Sequence, residues 1–171
     1  DSLTGIGNRR YFDSTIEQAL AQLSVPHTDA AQRREVALLL IDLYDFKRIN
    51  DGFGHAAGDE VLKYFAGELQ RVVPEASLAR IGGDEFAVIQ ACEAAEDAES
   101  LGDTIRMHFS RQSLVLKRSQ SNIGQLTLSI GIALLRSSDT RDSVYNRADQ
   151  MLYVSKNGGR NRISIEPRVG R

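Results

Sequence analysis

The chain has 171 residues, 42% of them hydrophobic, which suits one domain with a sizeable core. Its formal net charge of -2, with both signs mixed along the chain, excludes a basic face for nucleic acid and a cationic helix for a membrane surface. A single cysteine, Cys92, excludes an internal disulfide framework, fits a reducing compartment and reads as a packing residue at a strand end.

No stretch approaches the roughly 20 apolar residues of a membrane span, and no signal-peptide pattern opens the chain. The first residue is Asp1 rather than methionine. The expectation is a single domain over residues 1–171, excised from a longer protein.

In chain order, Phe12, Ile16, Ala19, Leu20 and Leu23 recur at helical spacing, so a helix is expected from Asn8 to about Leu23, ending before Pro26. The stretch "SVPHTDAAQRRE" reads as a polar loop. "VALLLIDL" is a continuous apolar run too short for a helix; it suits a central strand covered on both faces and ends in Asp42. "HAAGDEVLKYFAGELQRVV" places Leu62, Phe65, Ala66, Leu69 and Val73 on one stripe, and Pro74 stops it.

"ARIGGDEFAVI" then reads as a buried hairpin with two acids at its tip. A helix is expected from about Ala94 to Ser110, followed by a half-buried strand over Leu126 to Leu134, where Leu126, Leu128, Ile130 and Ile132 alternate with small or polar residues. A last helix, with Val144, Ala148, Met151 and Leu152 on one face, ends near Gly158 and Gly159, and "RISI" closes the domain as a strand. Hairpin-like connections with helices around them predict an α+β fold with a mainly antiparallel central sheet.

Three polar clusters interrupt this pattern. In the hairpin, Gly82 and Gly83 taken alone are a tight turn supplying positive φ. Asp42, at the carboxyl end of the buried strand, is the candidate partner for Asp84. Two carboxylates held together repel unless a cation joins them, and Mg²⁺ takes one or two protein carboxylates plus phosphate oxygens and water. A magnesium-nucleotide site is the hypothesis this raises.

The second cluster, "DLYDFKRINDGFGHAAGDE", runs out of that strand. Its plain reading is a solvated loop and helix start. A strand turning into a helix also exposes unpaired N–H groups around Tyr44 to Phe46, a phosphate cradle with Lys47 beside it. Asn50 and Asp59 add an amide and a carboxylate, and a carboxylate accepts from guanine's N1–H and N2 donors, a pair that adenine lacks. In the third cluster, "KNGGRNR", Lys156 and Arg160 either complement the helix dipole or neutralise phosphate. The phosphate-loop and dinucleotide glycine motifs are missing, and His27, His55 and His108 have no zinc-spaced neighbours.

Four ordered motifs over essentially the whole chain, "DSLTGIGNRR", "IDLYDFKRINDGFGHAAGDEVL", "RIGGDEF" and "ADQMLYVSKNGGRNR", resemble the GGDEF domain of bacterial diguanylate cyclases. The resemblance implies a palm-like nucleotide-cyclase fold and condensation of two GTP into cyclic di-GMP with loss of two pyrophosphates. It implies metal binding by Asp42, Asp84 and the Leu43 carbonyl, with Glu85 assisting a second metal. The cofactor is then Mg²⁺, two ions per half-site, with Mn²⁺ as a substitute.

Asn50 and Asp59 fall on guanine-recognition positions, with His55 in the same segment. Asp45 and Phe46 offer N–H groups to phosphate, and Lys47, Lys156 and Arg160 bind it electrostatically. Asp84, as proton acceptor, and Lys47 are the expected catalytic residues. One motif set per chain implies a two-fold homodimer with one GTP on each chain.

The resemblance further implies a cytoplasmic domain without direct membrane contact, the whole protein being open to tethering through a preceding region. Two departures stand out. Val73, Pro74, Glu75 and Ala76 occupy the stretch where many members carry an R-x-x-D product-inhibition site, so no inhibition through that primary site is expected, and Arg80 is left for a secondary contact. Tyr44 stands where the family commonly has an acid or amide. The alternative to an active cyclase is a GTP-binding, catalytically silent domain that regulates a fused partner.

Overall fold

Between Glu35 and Asp42 the chain carries only apolar side chains, and this run becomes the middle strand of the sheet. The computed structural model describes residues 1–26 and 34–167. The order is α1 (Arg9–Leu23), β1 (Glu35–Leu43), α2 (Phe46–Phe53), α3 (His55–Val72), β2 (Ser77–Arg80), β3 (Glu85–Cys92), α4 (Ala95–Ser110), β4 (Ser113–Val115), β5 (Asn122–Gln125), β6 (Leu128–Leu134), α5 (Arg141–Asn157) and β7 (Arg162–Ile165).

The main sheet runs β2-β3-β1-β6-β7 and is antiparallel except where β7 joins β6. The α+β expectation holds. Residues 27–33, including His27, of the expected polar loop lie outside the described residues.

Alternation along β1 divides the core into two layers. Leu39, Ile41 and Leu43 face the cluster of α3 and α4, where Phe65 stands 4.6 Å from both Phe86 and Phe109. Leu38 and Leu40 face the other cluster, built with Phe12 and Ile16 of α1 and Ala148 and Leu152 of α5. Asp42 shares the parity of Leu38 and Leu40, so it points to the side of α1 and α5. The Asn8 side chain accepts from the Tyr11 N–H at 2.9 Å and caps α1, while Cys92 is buried at the end of β3 as expected.

Three expectations change. The strand expected over Leu126 to Leu134 begins at Leu128, and it is buried on both faces rather than half-buried, because α5 covers the side occupied by Ser129, Gly131 and Ala133. Small residues there signal close helix approach, not exposure. The second cluster forms a separate helix, α2, which meets α3 at Gly54, where φ is 90°. The ribbon of β4 and β5, strands of 3 and 4 residues too short to show a period, was not anticipated; the Lys117 N–H ties it to Glu60 Oε1 of α3 at 2.8 Å.

Gly131 sets the distance between sheet and helix. A Cβ there would lie 2.1 Å from the Leu152 nitrogen and 2.3 Å from the Ala148 oxygen, both backbone atoms of α5. At Gly102 a Cβ would meet the tip of Ile132 at 2.8 Å, and that side chain can turn aside. Gly131→Ala is therefore expected to cost about 3 kcal/mol or more. Gly102→Ala is expected to stay within about 1 kcal/mol, since alanine's helix propensity offsets the crowding. Urea unfolding of both variants checks the contrast.

Candidate active site

Asp42 is paired across the sheet with Glu85 on β3 and Ser129 on β6, so the three side chains share one face. From above, α5 brings Lys156 of its last turn into an ion pair with Asp42 Oδ2. The other oxygen, Asp42 Oδ1, is buried with no hydrogen-bond partner. Asp84 is the last loop residue before β3, and its backbone oxygen accepts from the Leu43 N–H at 3.4 Å. The structure thus brings Asp42, Leu43, Asp84, Glu85 and Lys156 together.

Burial first, and the Asp42 charge next, push the Asp84 carboxyl above the ordinary carboxylate range, with a backbone hydrogen bond and Lys156 opposing. Burial and the Asp42 charge raise Glu85 likewise, with Lys156 opposing. For Lys156 burial works against the charge, but the hydrogen bond and charge of Asp42, then Glu85 and Asp84, outweigh it and raise the ammonium. Three acids share one close cation.

Among the described residues no three His, Cys, Asp or Glu side chains converge tightly enough to enclose an ion as they stand. The donor chemistry fits a small divalent cation nonetheless. Asp42 Oδ1 lacks a partner, and Asp84 is held in a repulsion that a cation would relieve. Lys156 already fills part of that electrostatic role.

Beyond β1 the chain turns through Asp45 in the left-handed region, φ 58°, into α2. The Tyr44 N–H is not free as expected, because it bonds the Thr127 oxygen at 2.9 Å. The open donors start one residue later: among the described residues the N–H groups of Asp45, Phe46 and Lys47 have no acceptor, while those of Arg48 and Ile49 bond the Asp45 oxygen. The Lys47 side chain is exposed beside them.

Asn50, on the next turn, places its Oδ1 only 1.9 Å from where a Cβ on Gly58 would sit. A glycine in α3 thus lets the Asn50 amide reach the helix that carries Asp59. Asp59 and His55 are both exposed. Arg160 closes the other side, its guanidinium 5.1 Å from the Tyr44 ring centroid.

The hairpin differs from expectation in its geometry. Neither Gly82 nor Gly83 has positive φ, and the loop spans residues 81–84, with the Ile81 N–H bonding the Glu85 oxygen at 3.0 Å. Space is what Gly82 supplies, since a Cβ there would stand 3.0 Å from Glu85 Oε2. Arg80 takes part in the loop: its Nε donates to the Gly83 oxygen at 3.0 Å and its Nη1 pairs with Asp1 at 3.5 Å. Asp1 also accepts from the Thr4 hydroxyl at 2.6 Å, so the opening "DSLT" braces the hairpin loop.

Sequence reasoning missed Tyr145 and Asp149. Asp149 lies close enough to Glu85 to raise it, and burial, then Glu85 and Asp149, raise the Tyr145 phenol. The signal was available, because 145, 149, 152 and 156 form one stripe of α5 ending at Lys156.

A family model described as "Diguanylate cyclase, GGDEF domain" matches residues 1–162. The chain belongs to the GGDEF family. It is 36% identical over 166 residues to the diguanylate cyclase DgcP of Pseudomonas aeruginosa, covering 96% of this chain and 23% of that protein. It is 37% identical to the response regulator PleD of Caulobacter vibrioides, covering 95% of this chain and 35% of PleD.

The chain spans well under half the length of these two curated relatives. Among solved structures, the GGDEF domain of DgcB from Caulobacter crescentus, determined in complex with c-di-GMP, superposes with a TM-score of 0.86 at 36% identity, covering 96% of this chain and 94% of that one. Among the described residues of this GGDEF domain no helix is long and apolar enough to cross a membrane.

The raised Asp84 carboxyl has a consequence for stability. Its folded pKa lies above the unfolded value, so between the two the folded state binds more protons and stability falls as pH rises. In metal-free buffer, Asp84→Asn is expected to melt above the parent at pH 7. The gap should narrow as pH drops toward about 4, near the ordinary carboxyl value. Thermal melts with a chelator across that range check this, and equal melting at pH 7 would contradict it.

Proposed function

We propose that this GGDEF domain is the catalytic part of a diguanylate cyclase, joining two GTP molecules into cyclic di-GMP and releasing two pyrophosphates. The observation that carries the reading is the meeting of Asp42, Asp84 and Lys156 around the unpartnered Asp42 Oδ1, next to the open N–H groups of Asp45, Phe46 and Lys47. It joins a metal-type acid pair to an anion cradle.

Asp42, Asp84 and the Leu43 carbonyl would hold Mg²⁺, with Glu85 toward a second ion. A bound Mg²⁺ supplies positive charge to the α-phosphate and to the departing pyrophosphate. Asn50 and Asp59 accept from the guanine edge, with His55 beside them, and select against adenine by leaving a carboxylate unpaired on it. The open N–H groups, Lys47, Lys156 and Arg160 orient the triphosphate.

The 3′-hydroxyl of one GTP attacks the α-phosphorus of the other, forming a phosphodiester and breaking the α–β phosphoanhydride. The electron pair leaves with pyrophosphate, and the hydroxyl proton passes to the Asp84 carboxylate. Each chain presents one GTP, so the reaction needs two chains across a two-fold axis.

Purified protein with GTP and Mg²⁺ is expected to form cyclic di-GMP, with Asp84→Ala reducing the rate by about 100-fold or more, the scale of losing an acid–base group. A parent chain that makes none would overturn the reading. The rate should also rise more than linearly with protein concentration, and strict proportionality down to nanomolar levels would contradict the dimer.

Val73 and Ala76 stand where an arginine and an aspartate would form the primary product-inhibition site. Added cyclic di-GMP is therefore expected to compete with GTP only at the catalytic face. Tight product binding that survives Asp84→Ala and Asp59→Ala would contradict this.

A further inference from the structure

Tyr44 is 47% exposed and stands two residues after Asp42. Its backbone is fixed by the bond from its N–H to the Thr127 oxygen. The ring packs into neither core cluster. The Arg160 guanidinium lies over the ring, 5.1 Å from its centroid.

Arg160 is held with equal care from the other side. It sits in the left-handed region at φ 62°, its N–H bonds the Ser155 oxygen at 3.0 Å, and its oxygen accepts from Arg162 Nε at 3.2 Å. Ser155 is itself anchored to the Ile130 oxygen at 2.8 Å and to Ser164 at 2.7 Å. Among the described residues the Arg160 guanidinium makes no ion pair and no side-chain hydrogen bond. Lys156, four residues earlier, pairs instead with Asp42.

We propose that Tyr44 is a positioning residue for the triphosphate: its ring carries the Arg160 guanidinium by a cation–π contact, leaving the donor edge free for phosphate oxygens. A guanidinium held over a ring rather than by a carboxylate keeps its N–H groups available for contact with an oxyanion. An acid at position 44 would instead pair with that guanidinium and compete with phosphate. The tyrosine orients the cation without neutralising it, two residues from Asp42 and four from Lys156. This rests on the reading of the site as a GTP site.

The test uses 3′-deoxy-GTP with Mg²⁺, which binds without the attacking hydroxyl, and guanosine as the phosphate-free control. Tyr44→Ala is expected to weaken 3′-deoxy-GTP by about 2- to 5-fold, the scale of a partly exposed cation–π contact. Guanosine binding should be unchanged, and Tyr44→Phe should retain the parent affinity because the ring is kept. In an Arg160→Ala background, Tyr44→Ala should add nothing further.

Unchanged 3′-deoxy-GTP affinity in Tyr44→Ala overturns the proposal. So does a loss that appears equally for guanosine, or one that persists after Arg160 is removed. A parent chain that binds 3′-deoxy-GTP no more tightly than guanosine overturns the phosphate site itself, which separates failure of the GTP reading from failure of the role given to Tyr44.

Discussion

The site depends on a carboxylate set where a protein does not ordinarily leave one half-paired. Asp42 is the next-to-last residue of a strand whose preceding residues, Ala37 to Ile41, are buried, and it projects from the sheet beside Glu85 and near Asp84. Among the described residues only Lys156 pairs with one of its oxygens. Burial pushes Asp84 and Glu85 toward their neutral forms, and the Asp42 charge reinforces that pressure. In the proposed GTP site the stabilising partner is a cation that arrives with phosphate, and the cost in the empty domain is then the counterpart of that affinity.

The scaffold makes that placement rigid. The parity of β1 sends Asp42 toward α5, and Gly131 lets α5 approach β6 closely enough for Lys156 to reach it. Gly58 does the same between α2 and α3, where it admits the Asn50 amide. At both positions the missing Cβ brings backbone and functional group within contact distance. Meanwhile "DSLT" and Arg80 hold the hairpin loop from outside, so the acids at its tip are set by neighbours as well as by their own turn.

Much of this was legible in the sequence, for identifiable reasons. Continuous apolar runs and helical stripes located β1, α1, α3 and α5 because burial is periodic, and Asp42, Asp84, Asn50 and Lys156 stood out as polar residues interrupting those periods. What escaped depended on tertiary approach. Small residues on β6 looked like a solvent face but mark where α5 packs. Gly82 suggested a special φ but serves to clear Glu85. The Tyr44 N–H looked free because its acceptor, the Thr127 oxygen, lies more than 80 residues away in sequence. The contact between Tyr44 and Arg160 joins two motifs that no local pattern connects.

The central claim is that Asp42 anchors a divalent cation within a nucleotide site. Titration of Mn²⁺, followed by its electron paramagnetic resonance signal in the presence of 3′-deoxy-GTP, tests it most directly. The account predicts saturable uptake by the parent chain and loss of that uptake in Asp42→Asn, with the variant still folded by circular dichroism. Equal Mn²⁺ uptake by Asp42→Asn and the parent would contradict it.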